Sequence, residues 1–162
     1  MQIIKDKAIV DDDWPVIREL ESSDPIPEGK AILPLAYWQA NRDQLLKNNS
    51  EHAVWIDGSV ETDELLDDLD HFSIIALDFP AFKDGRSYSH ARLLRERYGY
   101  KGELRAIGDV LRDQLFFMQR CGINSYVIRE DKDINDALNG LNDFTIRYQA
   151  AADDAVPIYK LR

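Results

Sequence analysis

The chain has 162 residues and a formal net charge of −10, with 44% hydrophobic and 31% charged residues. That length suits one domain with a substantial core, so residues 1–162 are read as a single unit, and the composition excludes an intrinsically disordered chain. The acidic balance opposes nucleic acid and anionic lipid at long range, so neither is expected as a partner.

In chain order, "MQIIKDKAIVDDDW" reads as two short strands with a turn near Asp6–Lys7, an appended hairpin rather than the start of a layered sheet. It has none of the pattern of a secretory signal, and no apolar run approaches membrane-spanning length, so a cytoplasmic location is expected. "SSDPIPEG" is a connector. "KAILPLAYW" has an extended pattern interrupted by Pro34, and "QANRDQLLKNN" has helical composition. "HAVWIDG" is a short apolar run, and "ETDELLDDLDHF" places Leu65, Leu66 and Leu69 on one helical face. "SIIALDFP" is the strongest buried strand.

Beyond it the pattern predicts a helix over 87–98, a strand in "ELRAIGD", a helix in "VLRDQLFFMQRCG", a strand in "INSYVIRE" and a last helix in "DINDALNGLNDF". "AADDAVPIYKLR" is a candidate edge segment. Strand and helix alternate from about residue 31 to 144, which predicts an α/β domain with a mostly parallel sheet. An open sheet ranks ahead of a partial barrel, because five units are too few to close a typical eight-stranded one.

Ligands of such folds gather beyond the C-terminal ends of the strands. The loops there begin at Asp57, Asp78, Asp109 and Glu130, and Asp at such positions commonly caps a helix or closes a turn. No motif has metal-ligand spacing, so no metal is expected. The longest loop carries "DFPAFKDGRSYS". Asp84-Gly85 is a turn signal, Ser87 precedes a helical pattern, and Arg86 is delivered beside the free N–H groups of a helix start, an arrangement suited to an oxyanion. Ser89 and Arg92 share a helical face with Glu96, and Arg95 is close by. His90 lies in the first turn of the same helix, and Tyr88 is a candidate acid beside Arg86. The segment 83–120 carries nine Lys or Arg against five acids, in contrast to the acidic remainder.

Neither a GxGxxG nor a Walker-type phosphate loop is present, and no HExxH or GxSxG occurs. The single cysteine, Cys121, supports neither an internal disulfide nor an iron–sulfur cluster, so no cofactor is expected and the thiol is read as packed.

The run from Asp78 to Tyr126 resembles an uncharacterised bacterial family often labelled as an oxidoreductase of sulfite reduction. Its members carry a run similar to phenylalanine, one variable residue and DGR, one more variable residue and YS, then ARLLR, GELRA and GDVL-DQ, matched here from Phe82 to Gln114. The resemblance is dense over residues 72–130. It implies a role near assimilatory sulfate and sulfite reduction and leaves catalysis open. Two readings follow. In one, Asp84, Arg86, Ser87, Tyr88, Ser89 and Arg92, with Arg105 from the neighbouring strand, bind a sulfur oxyanion or nucleotide sulfate, and Asp78 or Asp109 serves as acid or base. In the other, the basic helix 87–98 docks onto components of sulfite reductase.

Overall fold

The alternating apolar residues at the start of the chain form β1 (Gln2–Lys5) and β2 (Ala8–Asp11), joined through Asp6 and Lys7 at φ 50° and 67°. Two successive left-handed residues give a turn whose twist matches that of the strands it joins. The computed structural model describes residues 1–48, 51–79 and 85–141, so Asp84 and the candidate edge segment after residue 150 lie outside the described residues.

Five parallel strands follow: β3 (Ile32–Pro34), β4 (His52–Ile56), β5 (Phe72–Phe79), β6 (Glu103–Gly108) and β7 (Ser125–Tyr126). The sheet order is β2-β1-β7-β6-β5-β4-β3. The hairpin therefore extends the main sheet: β1 pairs antiparallel with β7 through Ile4↔Tyr126 and Lys5↔Ser125. A bare β7 would leave an exposed strand edge, and the hairpin covers it.

Between the strands lie α1 (Leu35–Ala40), α2 (Arg42–Leu46), a 3₁₀ helix at Thr62–His71, α3 (Arg86–Arg92) running into a π turn at Leu93–Arg97, and α4 (Arg112–Arg120). Helix α5 (Ile134–Leu141) follows β7. Because the strands advance in one direction from β3 to β7, right-handed crossovers put the helices on one face. Val54, Ile75, Leu77, Leu104 and Tyr126 pack there against Trp38, Leu65, Leu94, Leu115 and Met118. The alternate positions Ile32, Ala53, Ile74, Ala76 and Ile107 cluster instead with Trp14, and among the described residues no helical one joins them.

The helix over residues 62–71 departs from the 3.6-residue period. Its period of three buries Thr62, Leu65 and Asp68, while Leu66 is 39% exposed. Asp68 is not stranded by this register, since it accepts from Trp38 Nε1 at 3.2 Å and from Arg42 Nε at 2.7 Å.

The face opposite these helices is covered by an early segment of the chain. Val16 follows Asp11 by five residues and bridges to Ile32 of β3 at the far edge of the sheet. Six strand spacings in a flat sheet would separate β2 from β3 by about 29 Å. Five residues reach at most about 19 Å. The sheet remains open, but it must curl around this face, with residues 12–16 strapped across the concavity.

Arg105 holds the strap. Only 1% exposed, it donates two hydrogen bonds of 2.9 Å to the Asp12 carboxylate, and its Nε and Nη2 reach Glu103 Oε1 at 2.9 and 2.8 Å. Lys5 closes the group on Glu103 Oε2 at 3.1 Å, so two cations balance two carboxylates. Burial alone would raise the Glu103 carboxyl, but Arg105, helped by Lys5, outweighs it and holds the group below its ordinary value.

Removing one partner of a buried pair strands the other charges, so Arg105→Met is expected to lower stability by about 3–5 kcal/mol in urea unfolding. The depressed Glu103 value adds stability that is complete above the ordinary carboxyl value of 4.5 and is lost as pH falls through the folded value. That acid-side component is expected to shrink in the variant.

Candidate functional site

The C-terminal ends of β4, β5 and β6 form the mouth of the curled sheet. Asp78 is the last concave-facing residue of β5, in register with Ile107. It is 7% exposed, and its Oδ2 pairs with Arg18 Nη1 at 2.9 Å. Its Oδ1 is buried and has no hydrogen-bond partner among the described residues. Arg18 stands with its guanidinium carbon 5.1 Å from the centre of the Trp55 ring, and Trp55 in turn donates to Ile17 O at 2.9 Å. The strap thus delivers a half-exposed cation to a buried carboxylate. Gly108 leaves the room: its φ is +91°, and a Cβ there would stand 2.6 Å from Asp78 Oδ1 and 2.7 Å from Phe79 O.

On the helix side of the mouth, α3 is docked onto the same strand. Ser87, expected to cap the helix, is buried and sends its hydroxyl to Asp78 O at 2.7 Å instead, and the N-cap position falls to Gly85. A hydroxyl close to a strand-end carbonyl fulfils that buried acceptor, which outweighs capping an exposed N–H that water can reach. Arg86 opens the helix at the surface, its side chain so close over Gly58 that a Cβ there would meet Arg86 Nε at 2.5 Å. Ser89 and Arg92 are exposed. The guanidinium of Arg92 lies 5.9 Å from the Phe117 ring centre.

His90 is buried beneath this turn. Its Nε2 lies 3.1 Å from Asp57 O and its Nδ1 2.6 Å from Thr62 Oγ1. A carbonyl can only accept, so Nε2 carries the proton, and in the neutral ring Nδ1 accepts from the Thr62 hydroxyl. Burial pushes the imidazole below its ordinary value; Asp57 and Glu61 oppose that shift, and the Arg86 charge adds to it. His90 thus ties α3 to the β4 loop and the 3₁₀ helix.

The remaining candidates go elsewhere. Arg105 serves the strap, on the concave face. Tyr88 packs between Phe79 and Phe117, each ring centre at 4.9 Å, and burial raises its hydroxyl above the ordinary range. Asp109 accepts from Arg129 Nη1 at 2.9 Å. Asp57 closes a turn by accepting from Ser59 N at 2.8 Å, and Glu130 is exposed. Among the described residues, no three of His, Cys, Asp and Glu gather as metal ligands. Arg95 turns inward, donating to Gly122 O, Tyr100 O, Gly102 O and Asn124 Oδ1. Cys121 is fully buried.

Arg18, Trp55, Gly58 and Thr62 escape the sequence reading. An Arg in a Pro-flanked connector has no local signature of a strand-end partner, and Gly58 and Thr62 acquire their roles only when the β4 loop meets α3.

Because the folded value of His90 is depressed, its clasp contributes stability that is complete above the ordinary histidine value of 6.5 and is lost as pH falls through 6.5 toward the folded value. NMR titration of the ring is expected to show that depression, and Arg86→Ala to move the midpoint upward. An unchanged midpoint would mean that Arg86 does not act on this ring.

The model of a family described as bacterial proteins of unknown function (DUF934) matches residues 53–159. That span includes β4 from Ala53 onward, β5, β6 and every mouth residue on the helix side, but not Asp12 or Arg18. No curated protein and no solved structure matches the chain. The chain belongs to this bacterial family.

Proposed function

We propose that this protein is an accessory component of assimilatory sulfate and sulfite reduction that binds a sulfur oxyanion or nucleotide sulfate at the mouth of the sheet, with Arg86 as its principal ligand. The observation that carries the reading is the placement of Arg86: an exposed residue at the first turn of α3, its side chain seated on Gly58 and near enough to His90 to depress it. A planar guanidinium beside first-turn N–H groups matches a tetrahedral oxyanion in both charge and geometry. Ser89 and Arg92 are exposed farther along the same helix, and Ser87 contributes through its backbone, since its hydroxyl is spent on Asp78 O. Arg18 adds a second cation at the concave lip. The assignment to sulfur chemistry rests on the resemblance of the Phe82–Gln114 run.

A second reading, docking onto components of sulfite reductase, draws support from Phe117. This ring is 47% exposed beside Arg92, a cation–aromatic pair of the kind found in interfaces. With Arg95 committed inward, the basic face of the helix reduces to Arg92 and Arg97. Reversing those two charges together with Phe117→Ser is expected to abolish low-salt recovery of sulfite reductase from extract; undiminished recovery would remove this reading.

The anion reading is tested by thermal unfolding of wild type and Arg86→Ala with sulfate, sulfite, phosphate and adenylyl sulfate at matched ionic strength. A ligand at 100 times its dissociation constant adds about 2.7 kcal/mol. For a domain of this size that is a rise of roughly 5–10 °C. The rise is expected in wild type and not in the variant, and equal shifts in both would contradict the site.

A further inference from the structure

A cavity of about 380 Å³ opens at the opposite end of the sheet, where the strands begin, between the β1–β2 turn and the ends of α4 and α5. Its wall combines Arg95, Lys7 and Gln119 with the apolar Ile123 and Leu141. Two of its polar groups are chemically incomplete.

The first is Arg95. Its hydrogen bonds reach Gly122 O at 2.9 Å, Tyr100 O and Gly102 O at 2.8 Å and Asn124 Oδ1 at 3.3 Å, all neutral acceptors. Among the described residues no carboxylate touches it. Asp6 acts on it only at longer range, and Asp6 Oδ1 is engaged by Asn124 Nδ2 at 3.1 Å. A guanidinium has five N–H donors, so one on Nη2 remains. Gly122 fixes this placement: at φ +106° it has no side chain, and a Cβ would stand 2.4 Å from Arg95 Cγ. The second group is Gln119, 9% exposed, whose Oε1 is buried with no donor among the described residues. An unmet buried carbonyl is costly, and burying it beside an enclosed space is reasonable when something else supplies the donor.

We propose that this cavity binds a small organic monocarboxylate whose apolar body carries a hydroxyl or amino donor. The carboxylate pairs with the spare Arg95 N–H and with Lys7, the body lies on Ile123 and Leu141, and the donor reaches Gln119 Oε1. Arg95, Lys7 and Asp6 together leave one net positive charge, which suits a monoanion and disfavours the dianionic phosphate or sulfate. A mostly apolar wall with a few convergent polar groups is the usual make-up of a small-molecule site. This site is separate from the mouth, at the other end of the strands.

The test is an NMR titration of the full chain with 4-hydroxybenzoate, benzoate and 4-hydroxybenzyl alcohol, following the amides of Gly122 and Asn124. The hydroxy acid is expected to give saturable shifts, with the acid lacking a donor and the alcohol lacking a charge at least about tenfold weaker, the worth of one charge-assisted or buried hydrogen bond. Lys7→Asn keeps a residue tolerant of positive φ and removes the charge; Gln119→Leu removes the acceptor. Each is expected to weaken 4-hydroxybenzoate about tenfold. Arg86→Ala is expected to leave it unchanged, so failure here is distinguishable from failure at the mouth. Absence of saturable shifts at concentrations on the order of 10 mM would overturn the proposal, as would equal binding of the alcohol or unaltered affinity in both variants.

Discussion

Between Asp11 at one edge of the sheet and Val16 at the other the chain has only four residues, and the ion pairs of Asp12 with Arg105 hold them down. This short strap sets the curvature of the whole sheet. Strands that advance in one direction collect their helices on one face, so the other face has to be covered by something else. Here the cover is Trp14, Val16 and the carboxylate of Asp12, packed on Ile32, Ala53, Ile74, Ala76 and Ile107. Burying Arg105 is tolerable only because its fork meets two carboxylates and Lys5 balances the second of them.

Chemistry at the mouth inherits that constraint. The strap continues directly into Arg18, whose guanidinium is set against Trp55 and Asp78. Asp78 is therefore held from the concave side by the strap, from the neighbouring strand by the bare Cα of Gly108, and from the helix side by Ser87 on its own carbonyl. A second fastening, His90 between Thr62 and Asp57, fixes the first turn of α3 and with it Arg86. Rigid support beneath an exposed cation is what an anion site requires, because little ordering is then left to the moment of binding.

Periodicity made the alternation of strands and helices legible from about residue 31, along with the buried β5 run and the turn at Asp6–Lys7, since each is a local pattern. Arg86 was visible as the cation beside a helix start because DGR marks the turn. Other features depend on distant partners. Ser87 looks like a cap until β5 supplies a nearer acceptor. Leu65, Leu66 and Leu69 suggest an α-helical stripe until the three-residue period selects Thr62, Leu65 and Asp68. Arg105 reads as a candidate anion ligand on the neighbouring strand, yet Asp12 lies far away in sequence and becomes its partner only because the strap crosses the face. Arg95, one of three similar arginines on a helix, is distinguished only by three carbonyls that two loops bring to it.

We propose that the mouth holds an oxyanion on Arg86. The most direct measurement is an isotope-labelled NMR titration with sulfite and sulfate at constant ionic strength, reading the backbone amides. Saturable shifts confined to Gly58 and the first turn of α3, from Arg86 to Ser89, are the predicted result. Shifts scattered over exposed lysines and arginines, or none at Gly58 and Arg86, would contradict it.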